Sequence, residues 1–262
     1  MTAGFDFPWQ WLLTAPLSGA RNMGLDEALM HRSEERRECF LRVYEWARPT
    51  LSLGRNQTAR GKYDLARSQA LGIDIVRRLT GGRAVLHHRE ITYSITAPIE
   101  GIGDLYGSCE ALNNVLVYAL TRMGVSVGIA KPAGRTPAPD TLPCFDVAAQ
   151  GEIVAGGRKL VGSAQVRERG ALLQHGSILV QDDQNLASQL VLCPVAVANK
   201  PATLFEQLGR APAAAELAEA LVAALAAETG RIVRPLAIDA SLANSAAKLQ
   251  LKYESEDWTW RR

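Results

Sequence analysis

Long apolar runs are missing from this sequence, and no stretch comes near the roughly eighteen residues that a membrane-spanning helix needs. The opening residues, MTAGFDFPWQWLL, lack a basic region ahead of an apolar core, so no signal peptide is expected. Cysteine is sparse. Cys39, Cys109, Cys144 and Cys193 form no CxxC pair and have no zinc-like spacing with the four histidines. Free thiols in a reducing, cytoplasmic setting are the expectation. Charge of one sign is also lacking: a net +2 over 262 residues is too small to imply nucleic acid, and gives no long-range pull on a modestly acidic protein. Repeats, low-complexity linkers and composition shifts do not occur, so one domain over 1–262 is the simplest organisation. Lysine is scarce as well, six residues against 23 arginines, which makes a lysine inside a strand-like segment conspicuous.

What is present describes a globular chain. At this length roughly three quarters of the unfolded surface can be buried, so no disulfide or metal staple is required. GARNMGLDEALMHRSEE places Met23, Leu25, Ala28 and Leu29 at helical spacing. CFLRVYEW and TLSLG alternate as strands; DLARSQALG reads as a short helix closed by Gly72, followed by the strand IDIVRR. AVLH and ITYSITAP continue as strands, and SCEALNNVLVYALTRMG is an amphipathic helix stopped by Gly124. Residues 129–143 hold four prolines and read as a long surface loop. EIVA and RKLVGSAQV flank Gly156-Gly157 as a hairpin, and RERG leads into ALLQHGSILV. AAAELAEALVAALAAETG is helical, in a largely helical C-terminal part. Hairpin-connected strands over the first two thirds predict an α+β fold, a mixed and largely antiparallel sheet flanked by helices.

Four groups of residues carry candidate chemistry. In RRLTGGRAVLHH, Gly81 and Gly82 can adopt positive φ and let a ligand approach backbone amides, while Arg77, Arg78 and Arg83 offer charge-assisted hydrogen bonds. The alternative is a tight turn with solvent-facing arginines. Cys144 follows Pro143 at the edge of the proline-rich loop, whereas the other three cysteines look buried and inert. Lys159, in GGRKLVGSAQ, is either a solvent-facing hairpin residue or a partly desolvated ammonium, and an ammonium beside a thiol favours the thiolate. Gly162, Ser163 and Ala164 leave space beside a strand, and His175-Gly176 can line the same space. His87 and His88 read as structural, with no carboxylate spacing for a metal.

NMGLDEAL, LSLGRNQ, RRLTGGRAVLHHREITYS, CFD followed by GRKLVGSAQVRERGALLQHGSIL, and KYESEDWTWRR together resemble the lipoate/biotin protein ligase and octanoyltransferase superfamily, from about Trp9 to Arg262. The resemblance implies an α/β-type fold with a mixed sheet, like the biotin/lipoate ligase catalytic core. It further implies that the arginine and glycine loop and the lysine strand wall an acyl-binding slot. Ligases of this group activate lipoate with ATP, commonly carry RRxxGGGxVxHD and often add an accessory domain. Here Gly81-Gly82-Arg83 and His88 depart from that pattern, and no accessory domain is expected. The likeness is nearer to octanoyl-[acyl carrier protein]:protein octanoyltransferases, which implies Cys144 as acyl carrier and Lys159 as its companion. His87 and the residues grouped above then bind substrate.

Implied with it are a thioester relay without cofactor, octanoyl-acyl carrier protein as donor, and acceptor lipoyl domains such as glycine cleavage H protein or 2-oxoacid dehydrogenase E2, with no nucleic acid and no membrane. Two other readings stay open: a lipoate-protein ligase using ATP and Mg, and a non-catalytic protein that binds acyl groups or lipoyl domains.

Overall fold

Alternation along CFLRVY separates two surroundings. Cys39, Leu41 and Val43 point into a large apolar cluster, while Phe40, Arg42 and Tyr44 meet other groups on the opposite side. The computed structural model of the chain describes residues 6–100, 104–130, 145, 151–193 and 199–262. In chain order the first elements are β1 (Trp9–Leu13), α1 (Gly19–Arg36), β2 (Cys39–Tyr44), β3 (Thr50–Leu53), α2 (Leu65–Ala70), β4 (Asp74–Arg77), β5 (Val85–His87) and β6 (Glu90–Pro98). There follow α3 (Leu105–Arg122), β7 (Gly128–Ile129), β8 (Ile153–Ala155), β9 (Arg158–Glu168), β10 (Ala171–Leu179), α4 (Asn185–Ser188) and α5 (Leu204–Leu208). Last come α6 (Ala214–Thr229), β11 (Val233–Pro235), α7 (Ala240–Glu254) and α8 (Glu256–Thr259).

Eight strands form one sheet in the order β11-β1-β2-β6-β10-β9-β8-β7. β1 runs parallel to β11 and to β2, and every pair from β2 to β7 is antiparallel. A smaller sheet orders β4-β3-β5, with β3 parallel to β4 and antiparallel to β5. The mixed α/β architecture matches the expectation. The parallel edge made by β1 and β11 was not foreseen, because strands of five and three residues give too short a pattern to recognise. The Gly156-Gly157 turn is as expected: both residues have positive φ, 55° and 74°, which suits a two-residue hairpin.

Helices cover both faces of the large sheet. On one, Leu112, Val115 and Leu116 of α3 and Leu217 and Leu221 of α6 pack on Leu41, Val43, Ile91, Tyr93 and Ile95. On the other, Leu25, Ala28 and Leu29 of α1 pack with Leu242 of α7, Leu12 and Phe40. α1 starts at Ser18, whose hydroxyl faces the Arg21 amide, and α7 starts at Asp239, whose carboxylate accepts from the Leu242 amide at 2.8 Å. Gly24 lets these two helices cross closely, since a Cβ there would stand 2.9 Å from the Ala246 carbonyl oxygen.

Candidate functional site

The glycine-rich loop between β4 and β5 belongs to the small sheet and is tied down at several points. Arg78, buried, donates through Nη2 to the carbonyls of Gly81 and Arg83, each at 2.7 Å, and through Nη1 to Ser52. The Arg55 amide donates to the Thr80 carbonyl at 2.8 Å. Gly82 alone of the glycine pair has a positive φ, 93°, and Gly54 lies against it. A Cβ on Gly54 would sit 1.9 Å from the Gly82 carbonyl oxygen, so only glycine fits. Arg77 differs from the expected ligand-facing role. Its side chain is fully buried and donates to the carbonyls of Thr259, Gly54 and Gln57 at 2.8, 2.6 and 2.8 Å, so its guanidinium joins the C-terminal tail to the loop that backs Gly82.

His87, expected among the substrate-binding residues, is buried with both ring nitrogens facing protein groups. Its ring stacks on Trp46 at 4.0 Å, Nδ1 faces Glu90 Oε1 at 3.2 Å and Nε2 faces the Ser52 hydroxyl at 2.8 Å. Burial outweighs the pull of Glu90 and holds the imidazole below its ordinary pKa, so it is neutral near pH 7. His88 is exposed and pairs with Asp183 at 2.6 Å.

Strands β9 and β10 bring the remaining candidates side by side. Gly162, Ser163 and Ala164 pair with Ser177, Gly176 and His175 in register. Gly162 is buried and Ser163 and Ala164 are half-buried, Ser163 on the Tyr93 face of the sheet and Ala164 on the His175 face. Gly176 does not leave open space: a Cβ there would meet the Tyr93 ring at 2.6 Å and Ser163 Oγ at 2.8 Å. The cause is register, because Tyr93 on β6 is the direct cross-strand partner of Gly176 and its ring lies over it. Tyr93 bonds Ser163 at 2.8 Å and accepts from Gln174 at 3.1 Å; burial pushes its phenol up to about 12, so it stays neutral.

Lys159 is the buried lysine that its sequence context allowed. Only 4% of it is exposed, Nζ donates to Glu152 Oε1 at 2.6 Å, and Nζ lies 5.1 Å from the centre of the Phe145 ring. Phe145 in turn packs with Val85 of β5 and Leu179 of β10. The amine therefore stands over a ring that joins the start of β5, just after the glycine loop, to the large sheet. Cys144 lies outside the described residues, as do 131–143 of the proline-rich loop. Burial pushes the thiols of Cys39 and Cys109 up, which makes both poor nucleophiles. Of the three cysteines expected to be buried, Cys39 is, Cys109 is half-buried and Cys193 is exposed. Among the described residues no group of three His, Cys, Asp or Glu side chains is placed to hold a metal, and no helix is long and apolar enough to cross a membrane.

A polar centre that went unnoticed in the sequence lies beneath the glycine loop. Asp26 of α1, 1% exposed, accepts from Arg42 at 2.7 Å, Tyr44 at 2.8 Å and Ser94 at 2.8 Å, and faces His175 Nδ1 at 3.3 Å. Burial alone would raise its pKa, but Arg42 and His175 outweigh it and hold the carboxyl below the usual range. His175 Nε2 faces Thr80 Oγ1 at 2.7 Å. The signal available in the sequence was an arginine inside an otherwise apolar strand, CFLRVY, which had to find a buried anion.

Comparison with known proteins shows the family. Residues 18–226 match the lipoyl protein ligase A/B catalytic domain. Curated relatives called octanoyltransferase LipM include one from Kyrpidia tusciae, 37% identical over 97% of this chain and 99% of that protein. Another, from Exiguobacterium sibiricum, is 35% identical over 97% and 99%. Among solved structures, lipoate-protein ligase A bound with ATP superposes at a TM-score of 0.82, with 23% identity over 97% of this chain and 99% of that one. The bi-partite lipoate protein ligase of Thermoplasma acidophilum, studied with its E2 lipoyl domain, gives 0.78 and 21% over 97% of both chains. At those identities the superpositions speak for the fold. By its match over residues 18–226, the chain belongs to the lipoyl protein ligase A/B catalytic domain family.

Proposed function

We propose that this chain moves an octanoyl group from an acyl carrier protein thioester, through a thioester on Cys144, to a lysine of a lipoyl domain. Octanoyl transfer is supported by the name octanoyltransferase carried by relatives 35–37% identical along the whole chain. The observation that carries the cysteine relay is Lys159, a buried ammonium over the ring of Phe145, the residue next in sequence to Cys144. A cation beside a thiol favours the thiolate and can orient a developing oxyanion.

In the first half-reaction the Cys144 thiolate adds to the carrier thioester carbonyl. The carrier sulfur leaves and takes a proton, giving octanoyl-enzyme. Sulfur replaces sulfur, so the exchange is close to isoenergetic and calls for no nucleotide or metal. In the second, the neutral ε-amine of the acceptor lysine adds to the new thioester, loses a proton and expels the Cys144 thiolate. The amide formed is stable and draws the sequence forward. A free lysine has a pKa near 10.4, so only about one in 2,500 is neutral at pH 7, and the site must help remove that proton. Amides of the glycine loop are the proposed oxyanion donors, each worth about 3 kcal/mol in comparable sites. Arg83 is a candidate to meet polar parts of the acyl donor. Ser163, half-buried on the Tyr93 face of β9, is proposed to wall the tail, at about 0.8 kcal/mol for each methylene buried. Acceptors of this chemistry are lipoyl domains such as glycine cleavage H protein or 2-oxoacid dehydrogenase E2.

The deciding experiment omits nucleotide. Wild-type protein mixed with octanoyl carrier should gain one octanoyl mass, on Cys144, and pass it to an apo lipoyl domain. Cys144→Ala should lose both steps. Full transfer by Cys144→Ala would refute the cysteine relay, and AMP release from ATP and lipoate with indifference to that substitution would establish ligase chemistry instead.

A further inference from the structure

The glycine loop and Lys159 belong to different sheets. The loop is anchored in the small sheet through Arg78, which follows β4, and Arg55, which follows β3. Lys159 and Ser163 belong to β9 of the large sheet. Acyl transfer as proposed above needs both sides of the site at a fixed separation, so something must set their spacing. Thr80 is buried and bridges the gap, its hydroxyl 2.7 Å from His175 Nε2 on β10.

The chemistry of the bridge is determined from below. Asp26 faces four donors and its carboxyl is held below its ordinary pKa, so it is an ionised acceptor. His175 Nδ1 must then carry a hydrogen. Nε2 is the ring nitrogen that then pairs with the Thr80 hydroxyl, 2.7 Å away. Both ring nitrogens are engaged and the ring is 6% exposed, so His175 has no nitrogen left for substrate, contrary to its expected role as part of the pocket lining. The salt bridge between Arg55 and Glu168 and the packing of Leu79 on Leu173 also cross between the sheets. These two hold the backbone of Thr80, Arg55 through its amide on the Thr80 carbonyl and Leu79 as the preceding residue, while the Thr80 hydroxyl makes the contact with His175, one residue before Gly81.

We propose, resting on the acyl-transfer reading, that Asp26, His175 and Thr80 form a positioning relay. Asp26 fixes the tautomer and tilt of His175, His175 fixes Thr80, and Thr80 sets where the amides of Gly81, Gly82 and Arg83 stand relative to Lys159. None of the three touches the acyl group. They act on the transition state through the loop, so kcat should respond and donor KM should not.

Thr80→Val removes the hydroxyl at nearly constant shape and Thr80→Ser restores it. With octanoyl carrier and an apo lipoyl domain, Thr80→Val should lower kcat about 100-fold, the scale of a small misplacement at a reacting centre, with donor KM within about twofold. Thr80→Ser should recover most of that loss. A Thr80→Val/His175→Asn double variant should be no slower than the worse single variant, as expected for members of one unit. Amide hydrogen exchange at Gly81 to Ala84 should quicken in Thr80→Val and not in Thr80→Ser. Wild-type kcat and wild-type loop exchange in Thr80→Val would overturn the relay. So would a kcat loss that follows thermal stability and that serine does not rescue. If the wild-type protein transfers nothing without nucleotide, the acyl-transfer reading fails. The exchange pattern then still decides the relay as a device for holding the loop.

Discussion

Along β2 and β6, successive side chains enter opposite environments. Leu41, Val43, Ile91, Tyr93 and Ile95 face α3 and α6, where Leu112, Leu116, Leu217 and Leu221 close an apolar layer. Arg42, Tyr44 and Ser94 face α1, where they converge with His175 on the carboxylate of Asp26. Apolar contact has no preferred direction, so the first face tolerates exchange of one hydrocarbon for another of similar volume. The second face depends on donors aimed at two oxygen atoms, and a buried ion pair that loses one partner leaves the other charge unsolvated. One face holds the sheet together; the other holds it together and also reaches the glycine loop through Thr80.

The contrast can be broken most severely at Asp26. Asp26→Asn keeps the shape, removes the charge opposite Arg42, and should destabilise the protein by about 3–5 kcal/mol in urea unfolding. A loss under about 1 kcal/mol would mean that Arg42 is satisfied without it. On the apolar face Leu116→Ala should cost about 3 kcal/mol through the cavity it opens, with loop exchange at Gly81 to Ala84 unchanged. Gly176→Ala pushes a methyl toward the Tyr93 ring and Ser163, and should cost about 1–3 kcal/mol by overpacking. Leu116→Met, which conserves volume, should stay below about 1.5 kcal/mol.

Acid separates the faces by another route. The Asp26 carboxyl is held below its ordinary 3.8 in the folded protein. Its contribution is therefore complete above that value and is lost as pH falls through the lower, folded pKa. Unfolding midpoints followed from pH 5 downward should show that loss in wild-type and Leu116→Ala alike, and less of it in Asp26→Asn. Equal slopes in all three would assign the acid sensitivity to other carboxylates.

Much of the layered fold was legible from periodicity. The helix over Gly19–Arg36 showed its buried Met23, Leu25, Ala28 and Leu29 at helical spacing, and the Gly156-Gly157 hairpin showed its turn chemistry. Lys159 stood out because lysine is rare here, and it is buried. Asp26 and Glu152 did not stand out, since an acidic residue in a helix or before a strand ordinarily faces water. Arg77 looked like a ligand contact because a guanidinium beside a glycine pair suits an anion; its partners are carbonyls contributed by residues 54, 57 and 259.

Sequence by itself determined what is local or compositional: which segments coil, which extend, where glycine permits a turn, and which rare side chains sit where hydrocarbon would be expected. Only the tertiary structure decided which distant groups became partners. Asp26, Arg42, Thr80 and His175 are far apart along the chain, and a hydrogen bond is set by distance and angle, which a linear order of residues does not contain.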